Sequence, residues 1–317
     1  MALGLVVVIG GSGFIGRHVV RRLAARGARI RVAVRRPDRA RFLQPMGDVG
    51  QISIAQTNLR NEASVRAAVT GADAVVNLCG VLSKQGPQTF DALHVAGAGL
   101  AARLAAEAGA GAFIQVSAIG AGARSRSAYA RSKAAGEAAV RGAFPKATIV
   151  RPSIVFGRDD EFFNRFAALA RVSPVLPVFG HGLTNAGATR FQPVFAGDIA
   201  EAVCRILEDP AARGETYELG GPAVHTFREI MEMVAAYTGR KRFFVPVPFA
   251  LARLQATFLQ MLPNPLLTCD QVRLLENDNV AADGAKGLAD LGVAPTPVET
   301  VVPGYLARFR KAGAQAV

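Results

Sequence analysis

The 317-residue sequence predicts an α/β fold: a doubly wound parallel sheet with a smaller, mixed C-terminal subdomain. Three features lead there. Short β-branched runs alternate with Ala-rich helical stretches from Leu3 to about Val155, the pattern that gives right-handed βαβ crossovers. A glycine-rich turn joins the first strand to the first helix. After Gly157 the texture changes to Phe-rich helix and Pro-punctuated loops.

Taken in order, strands are expected at Leu5–Ile9, Ile30–Val34, Ile52–Gln56, Ala74–Leu78, Ala112–Val116 and Ala147–Val150. The first leads into Gly10-Gly11-Ser12-Gly13-Phe14-Ile15-Gly16 and then an amphipathic helix, Arg17–Arg26. In such a Rossmann-type turn Gly10 permits the tight bend and Gly13 lets the backbone approach a pyrophosphate. Gly16 allows close helix packing, and the amides around Phe14 and Ile15 face the phosphates with the helix dipole behind them. The second strand ends at Val34-Arg35-Arg36, where an NAD-selective site usually places a carboxylate for the ribose hydroxyl. Arg35 or Arg36 can instead grip a 2′-phosphate in bidentate fashion, so NADP(H) is the expected cofactor; two solvated arginines are the plainer alternative. Asn58-Leu59 follows the third strand, and Asn77 to Gly80, with Cys79, follows the fourth. Both loops sit where adenine and phosphates would be walled in.

Past the fifth strand, Tyr129-Ala130-Arg131-Ser132-Lys133 places a phenol and an ammonium one helical turn apart. A lysine so placed can lower the tyrosine pKa and bind the nicotinamide ribose, while Ser117 at the strand end can orient a carbonyl. Tyr129, Lys133 and Ser117 are therefore the candidate catalytic residues.

The first domain is expected to cover 1–157, with 192–207 returning to it, and the C-terminal subdomain 158–191 and 208–317. The return is read from a short apolar strand leading to Asp198 as N-cap of a helix Ile199–Leu207. Ala250 to Leu262 carries Leu251, Leu254, Phe258 and Leu262 at helical spacing, with Arg253, Gln255 and Gln260 between. That apolar face either packs on the first domain or meets a partner subunit or the lipid interface. Residues 312–317 are expected to fray.

Composition narrows the partners. Hydrophobic residues make up 50% of the chain, enough for a large core. The net charge of +13, from 37 Lys plus Arg against 24 Asp plus Glu, suits phosphates or an anionic membrane, or is simply a solvated basic face. No nucleic-acid motif accompanies it, so nucleic acid is not expected as a partner. The three cysteines, Cys79, Cys204 and Cys269, lack metal-ligand spacing, so no metal is expected and they read as buried thiols of a reducing compartment. With no stretch of about 18 apolar residues and no room for a presequence before the first strand, the expected place is the cytoplasm, at most peripherally on the inner face of a bacterial membrane.

The glycine motif, Tyr129/Lys133, Arg151-Pro152-Ser153-Ile154-Val155-Phe156-Gly157 and Gln192-Pro193-Val194-Phe195 together make the chain resemble the extended or atypical short-chain dehydrogenases/reductases. A narrower resemblance, to the NAD(P)H-binding 39 kDa accessory subunit family of respiratory complex I, runs over nearly the whole length. It is carried by Pro45–Gln51, Tyr129–Glu137, Arg141–Pro145, Phe156–Asp160 and Leu288–Val293. It implies a tightly held NADP(H) of structural or regulatory use, on a subunit beside the quinone-reducing part of the complex. Gly10, Gly13, Gly16, Arg35, Arg36 and Lys133 would then be cofactor contacts, joined by Pro152 and Ile154, while Tyr129 and Ser117 only occupy the position of a catalytic pair. Two departures separate the chain from active short-chain dehydrogenases: His94 stands where those enzymes usually carry an asparagine, and the stretch from Ser117 to Tyr129 is short. His94 is either a proton relay or a core histidine. The alternatives to the accessory role are a free-standing NADP-dependent oxidoreductase or epimerase and an auxiliary protein of ubiquinone synthesis.

Overall fold

Six of the seven strands in the main sheet fall within a residue or two of the sequence expectation. The computed structural model describes residues 3–84, 86–182, 184–260 and 267–310. The six are β1 (Leu5–Ile9), β2 (Arg29–Val34), β3 (Ile52–Gln56), β4 (Ala74–Asn77), β5 (Ala112–Val116) and β6 (Thr148–Pro152). With Thr216–Leu219 they form a parallel sheet in the order Thr216–Leu219, β6, β5, β4, β1, β2, β3. The order reverses between β1 and β4, and ligands of open α/β sheets bind beyond the carboxyl ends of the strands at such a switch point.

The crossover helices are α1 (Phe14–Ala24), α2 (Glu62–Val69), α3 (Ala98–Glu107) and α4 (Ala128–Ala143). Asn61 caps α2 by accepting from the Ser64 amide at 2.9 Å, and Ser127 caps α4 by accepting from Ala130. α1 begins at Phe14 rather than Arg17, because its N-cap is Gly13. One sheet face is filled by Val7, Ile9, Val75, Phe113 and Ile149 against the Ala-rich inner faces of α2 and α3. Their small side chains let helix and sheet close without voids.

The chain divides into two units: residues 1–152, 196–219 and 283–294, and residues 153–195, 220–282 and 295–317. This division departs from the sequence boundaries in four places: 153–157 and 192–195 fall in the second unit, and 208–219 and 283–294 in the first. Val194–Phe195 pairs with Val155–Phe156 and so packs in the second unit. The 283–294 segment joins the first, where the Glu218 amide donates to the Lys286 carbonyl at 2.8 Å. The returning helix spans Ala196–Glu208, so Asp198 lies inside its first turn, buried, and is not the N-cap. That helix packs on α1, tied by Arg26 to Glu201 and Glu208 at 2.5 and 2.7 Å.

The second unit has its own core of Phe156, Phe163, Phe191, Phe227, Met231 and Val302. It includes a two-stranded parallel ribbon, Val175–Gly180 with Phe243–Pro248, and a helix Phe249–Leu259. That helix buries Phe249, Ala252 and Ala256 and leaves Leu251, Leu254 and Phe258 exposed. Of the two readings of this apolar face, its exposure fits a partner or lipid face better than a packed one. Leu262 and the terminal segment expected to fray lie outside the described residues. Of the cysteines, only Cys204 is buried; Cys79 and Cys269 are half-buried, and all three are free. None of the described helices is long and apolar enough to cross a membrane.

Candidate functional site

The carboxyl ends of β1, β4 and β5 bring one set of the expected residues together. Gly10 has φ of 80° and donates its amide to the Ala33 carbonyl at 2.9 Å, fixing the turn onto β2. A Cβ on Gly10 would stand 3.2 Å from the Cys79 Sγ. On Gly16 it would lie 2.6 Å from the backbone of Gly10 and Gly11, a distance no side chain tolerates. Gly13, by contrast, is exposed, and a Cβ there would meet only the Gly10 carbonyl, at 3.2 Å. No side chain caps α1 and its first turn has no acid, so the amides beyond Gly13 are left facing outward beside a positive dipole. This cradle of bare backbone fits a pyrophosphate, with Phe14 and Ile15 supplying the next amides.

At the opposite side of the switch point stand Tyr129 and Lys133, on the first turns of α4. The Lys133 Nζ donates to the Val116 carbonyl at 3.3 Å and lies 5.7 Å above the Tyr129 ring. It is also 3.2 Å from where a Cβ on Gly80 would be. Burial pulls the ammonium down to about 8, opposed by Cys79 and Glu137. Desolvation pushes the Tyr129 phenol up to about 12. Burial likewise pushes the Cys79 thiol up to about 11, against Arg35 and Lys133, the two cations nearest it. The Ser117 hydroxyl is buried, with no hydrogen-bond partner among the described residues. A buried hydroxyl without a partner costs about 1–3 kcal/mol, which a ligand oxygen would recover. Gly10, Cys79, Gly80, Ser117, Tyr129 and Lys133 are thus gathered around β1, β4 and β5, with Arg35 on the β2 side.

The other expected residues are arranged differently. Arg36, like Arg35, is exposed at the end of β2. Asn58 turns its Oδ1 to its own loop, accepting from the Arg60 amide at 3.1 Å. The Leu59 side chain is buried in the core, which leaves only its backbone to face a ligand. Pro152 closes β6, its carbonyl accepting from the Ile119 amide at 3.0 Å, and Ile154 belongs to the second unit. Among the described residues no cluster of His, Cys, Asp or Glu could hold a metal.

His94 is a core residue. It sits in a π-helical turn, Asp91–Gly97, with 2% of its surface exposed. Its Nε2 accepts the Val81 amide at 3.0 Å, so Nδ1 carries the proton and donates to the Ser132 Oγ at 2.8 Å. The Ser132 hydroxyl passes the chain on to the Tyr129 carbonyl. Burial, aided by Lys133, lowers the imidazole to about 3, so it is neutral at physiological pH. Both nitrogens are committed to holding the loop after β4 against α4, which leaves none to relay protons. The sequence reading did not single out Ser132 or Arg17. The Arg17 guanidinium lies 5.1 Å over the Phe42 ring in the first turn of α1, and an arginine directly after the third glycine was the only signal for it.

The model of the NAD dependent epimerase/dehydratase family matches residues 6–220. The NADH dehydrogenase [ubiquinone] 1 alpha subcomplex subunit 9 of Arabidopsis thaliana is 34% identical, over 98% of this chain and 79% of its own. A ceramide reductase of Caulobacter vibrioides is 33% identical over 78% of this chain and 74% of its own. Among solved structures, the triphenylmethane reductase of Citrobacter sp. complexed with NADP(H) superposes with a TM-score of 0.73 at 19% identity, covering 95% of this chain and 99% of that one, a likeness of fold.

Proposed function

Because the chain belongs to the NAD dependent epimerase/dehydratase family, and within it to the branch of the complex I alpha subcomplex subunits, we propose that it is an NADP(H)-binding accessory protein of the NADH:quinone oxidoreductase type. The observation that carries this reading is the 34% identity maintained along 98% of the chain, through both units. The cofactor would be held by Gly10, Gly13 and Gly16 at the pyrophosphate, by Arg35 and Arg36 at the 2′-phosphate, and by Lys133 at the nicotinamide ribose. Its use would be mainly structural or regulatory, since a ligand that binds only the folded state stabilises it by mass action. The protein would reside peripherally on the cytoplasmic face of a membrane, beside its partner subunits. Affinity purification of the tagged chain at native expression from gently solubilised membranes tests the assignment. Stoichiometric recovery of respiratory NADH:quinone oxidoreductase subunits is expected, and recovery of the chain alone would overturn it.

A second reading is favoured by the ceramide reductase relative and by the solitary Ser117 hydroxyl: an NADP-dependent reductase. NADP(H), when bound, supplies hydride; Ser117 would orient a carbonyl oxygen, Tyr129 would protonate it and Lys133 would stabilise the phenolate left behind. NADPH consumption with ketones or ketone-bearing lipids would support it, and a flat absorbance trace would remove it.

A further inference from the structure

We propose that the second unit carries a docking surface for anionic phospholipid on the outer side of the ribbon Val175–Gly180/Phe243–Pro248, continued by the outer stripe of the helix Phe249–Leu259. Six of the eleven exposed large hydrophobic residues among the described ones fall in these segments, and a seventh, Val172, lies three residues before the ribbon. Phe243 is 77% exposed and Val172 78%, and Phe243 sits directly across from Val175 in register. The Phe243 amide donates to the Pro174 carbonyl at 3.1 Å, which sets Phe243 beside the segment from Val172 to Val175. The helix follows Pro248 without a linker. Its inner positions Phe249, Ala252 and Ala256 satisfy the core, while Leu251, Leu254 and Phe258 add a second apolar stripe that a simple surface helix does not need.

Charge selects the occupant. Residues 162–197 and 233–269 contain no Asp or Glu, whereas Arg171, Lys241 and Arg242 border the exposed apolar groups of the ribbon; on the helix, Arg253 is paired with Glu276 at 3.0 Å. Arg171 directly precedes Val172, and Arg242 is pinned at the ribbon start by a 2.7 Å bond to the Ala170 carbonyl. Exposed Phe and aliphatic groups beside the ribbon's cations match lipid headgroup phosphates over acyl chains. A second copy of this chain is a poorer match, because an isologous contact would set these cations against themselves.

The inference deepens the peripheral placement in the proposed function, and the two fail separately: failed copurification with respiratory subunits leaves vesicle binding untouched. The test is flotation of the full chain with phosphatidylcholine vesicles, alone and with roughly a third phosphatidylglycerol. Binding is expected to the anionic vesicles, to weaken with salt, and to drop roughly tenfold in Phe243→Ser and about fivefold in Lys241→Gln. Val49→Ser, in the first unit and fully exposed, should bind like the parent. Thermal melting of Phe243→Ser should be unchanged, since the side chain packs against little. No vesicle binding, binding indifferent to Phe243 and Lys241, or a light-scattering dimer that Phe243→Ser dissociates would overturn the proposal.

Discussion

Gly13→Ala and Gly16→Ala should separate cofactor binding from folding. At Gly16 the new methyl would stand 2.6 Å from the Gly10 carbonyl and the Gly11 backbone, and neither can move without shifting β1 or α1. Overpacking against rigid backbone costs roughly 1–3 kcal/mol, so cofactor-stripped Gly16→Ala should unfold at clearly lower denaturant. At Gly13 φ is −72°, which any residue adopts, and the only close atom is the Gly10 carbonyl at 3.2 Å. Stripped Gly13→Ala should therefore match the parent within about 0.5 kcal/mol, the range usual for surface substitutions. Its methyl instead occupies the pyrophosphate path. If affinity falls at least tenfold, a cofactor concentration about 100 times the parent Kd stabilises the parent by about 2.7 kcal/mol and the variant by only about 1.4. Circular dichroism melts and calorimetric titration of the stripped proteins measure both quantities. Gly13→Ala binding NADPH as tightly as the parent would refute the placement of the pyrophosphate over α1.

Replacing Arg35 and Arg36 by Ala should weaken NADPH roughly 10- to 100-fold, the worth of charged hydrogen bonds to one phosphate, and leave NADH nearly unchanged when both are titrated. Glu137→Gln weakens a pair in which Arg151 grips the carboxylate at 2.6 and 2.9 Å but leaves Arg151 its second partner Glu218 at 3.2 Å, so it should destabilise by about 1.5–3 kcal/mol in urea. His94 has a folded-state pKa of about 3, below its ordinary 6.5. The unfolded chain therefore binds more protons between those values, and stability should fall as pH drops from 6.5 towards 3, by up to about 1.4 kcal/mol per pH unit. Subtracting the curve of His94→Gln isolates that slope, and identical curves would contradict a buried neutral imidazole. Tyr129→Phe should leave retained cofactor unchanged on the accessory reading; if the chain is a reductase, it should abolish turnover with affinity nearly intact.

What the sequence made legible was local. β1, β3 and β5 are simple apolar runs between helix and turn signals, and their ends agree with the structure to the residue. The glycine motif was readable because turn, strand and helix lie in one short stretch of chain. What escaped depends on distant partners. In the π-turn at Asp91–Gly97, His94 bonds both Val81 and Ser132, partners far apart in sequence. Phe243–Pro248 became a strand by pairing with Val175–Gly180 in parallel, a match no local pattern announces. The helix Phe249–Leu259 shows the same limit. The spacing of its large residues could not decide between a packing face and an outward one; small Ala252 and Ala256 lie inward, where close approach favours them. At the site, Gly10, Lys133 and Tyr129 followed from motif spacing, whereas Leu59 proved to be core because α3 and the π-turn cover it.

The most direct test of the central claim is to purify the chain without added nucleotide, identify any released cofactor by mass spectrometry, and follow the reduced-nicotinamide absorbance while ketones, aldehydes and quinones are added. Co-purifying NADPH that stays reduced throughout is the predicted result. An empty site that exchanges NADP(H) freely, or bound NADPH that one of these compounds oxidises, would contradict a structural cofactor and leave the reductase reading in its place.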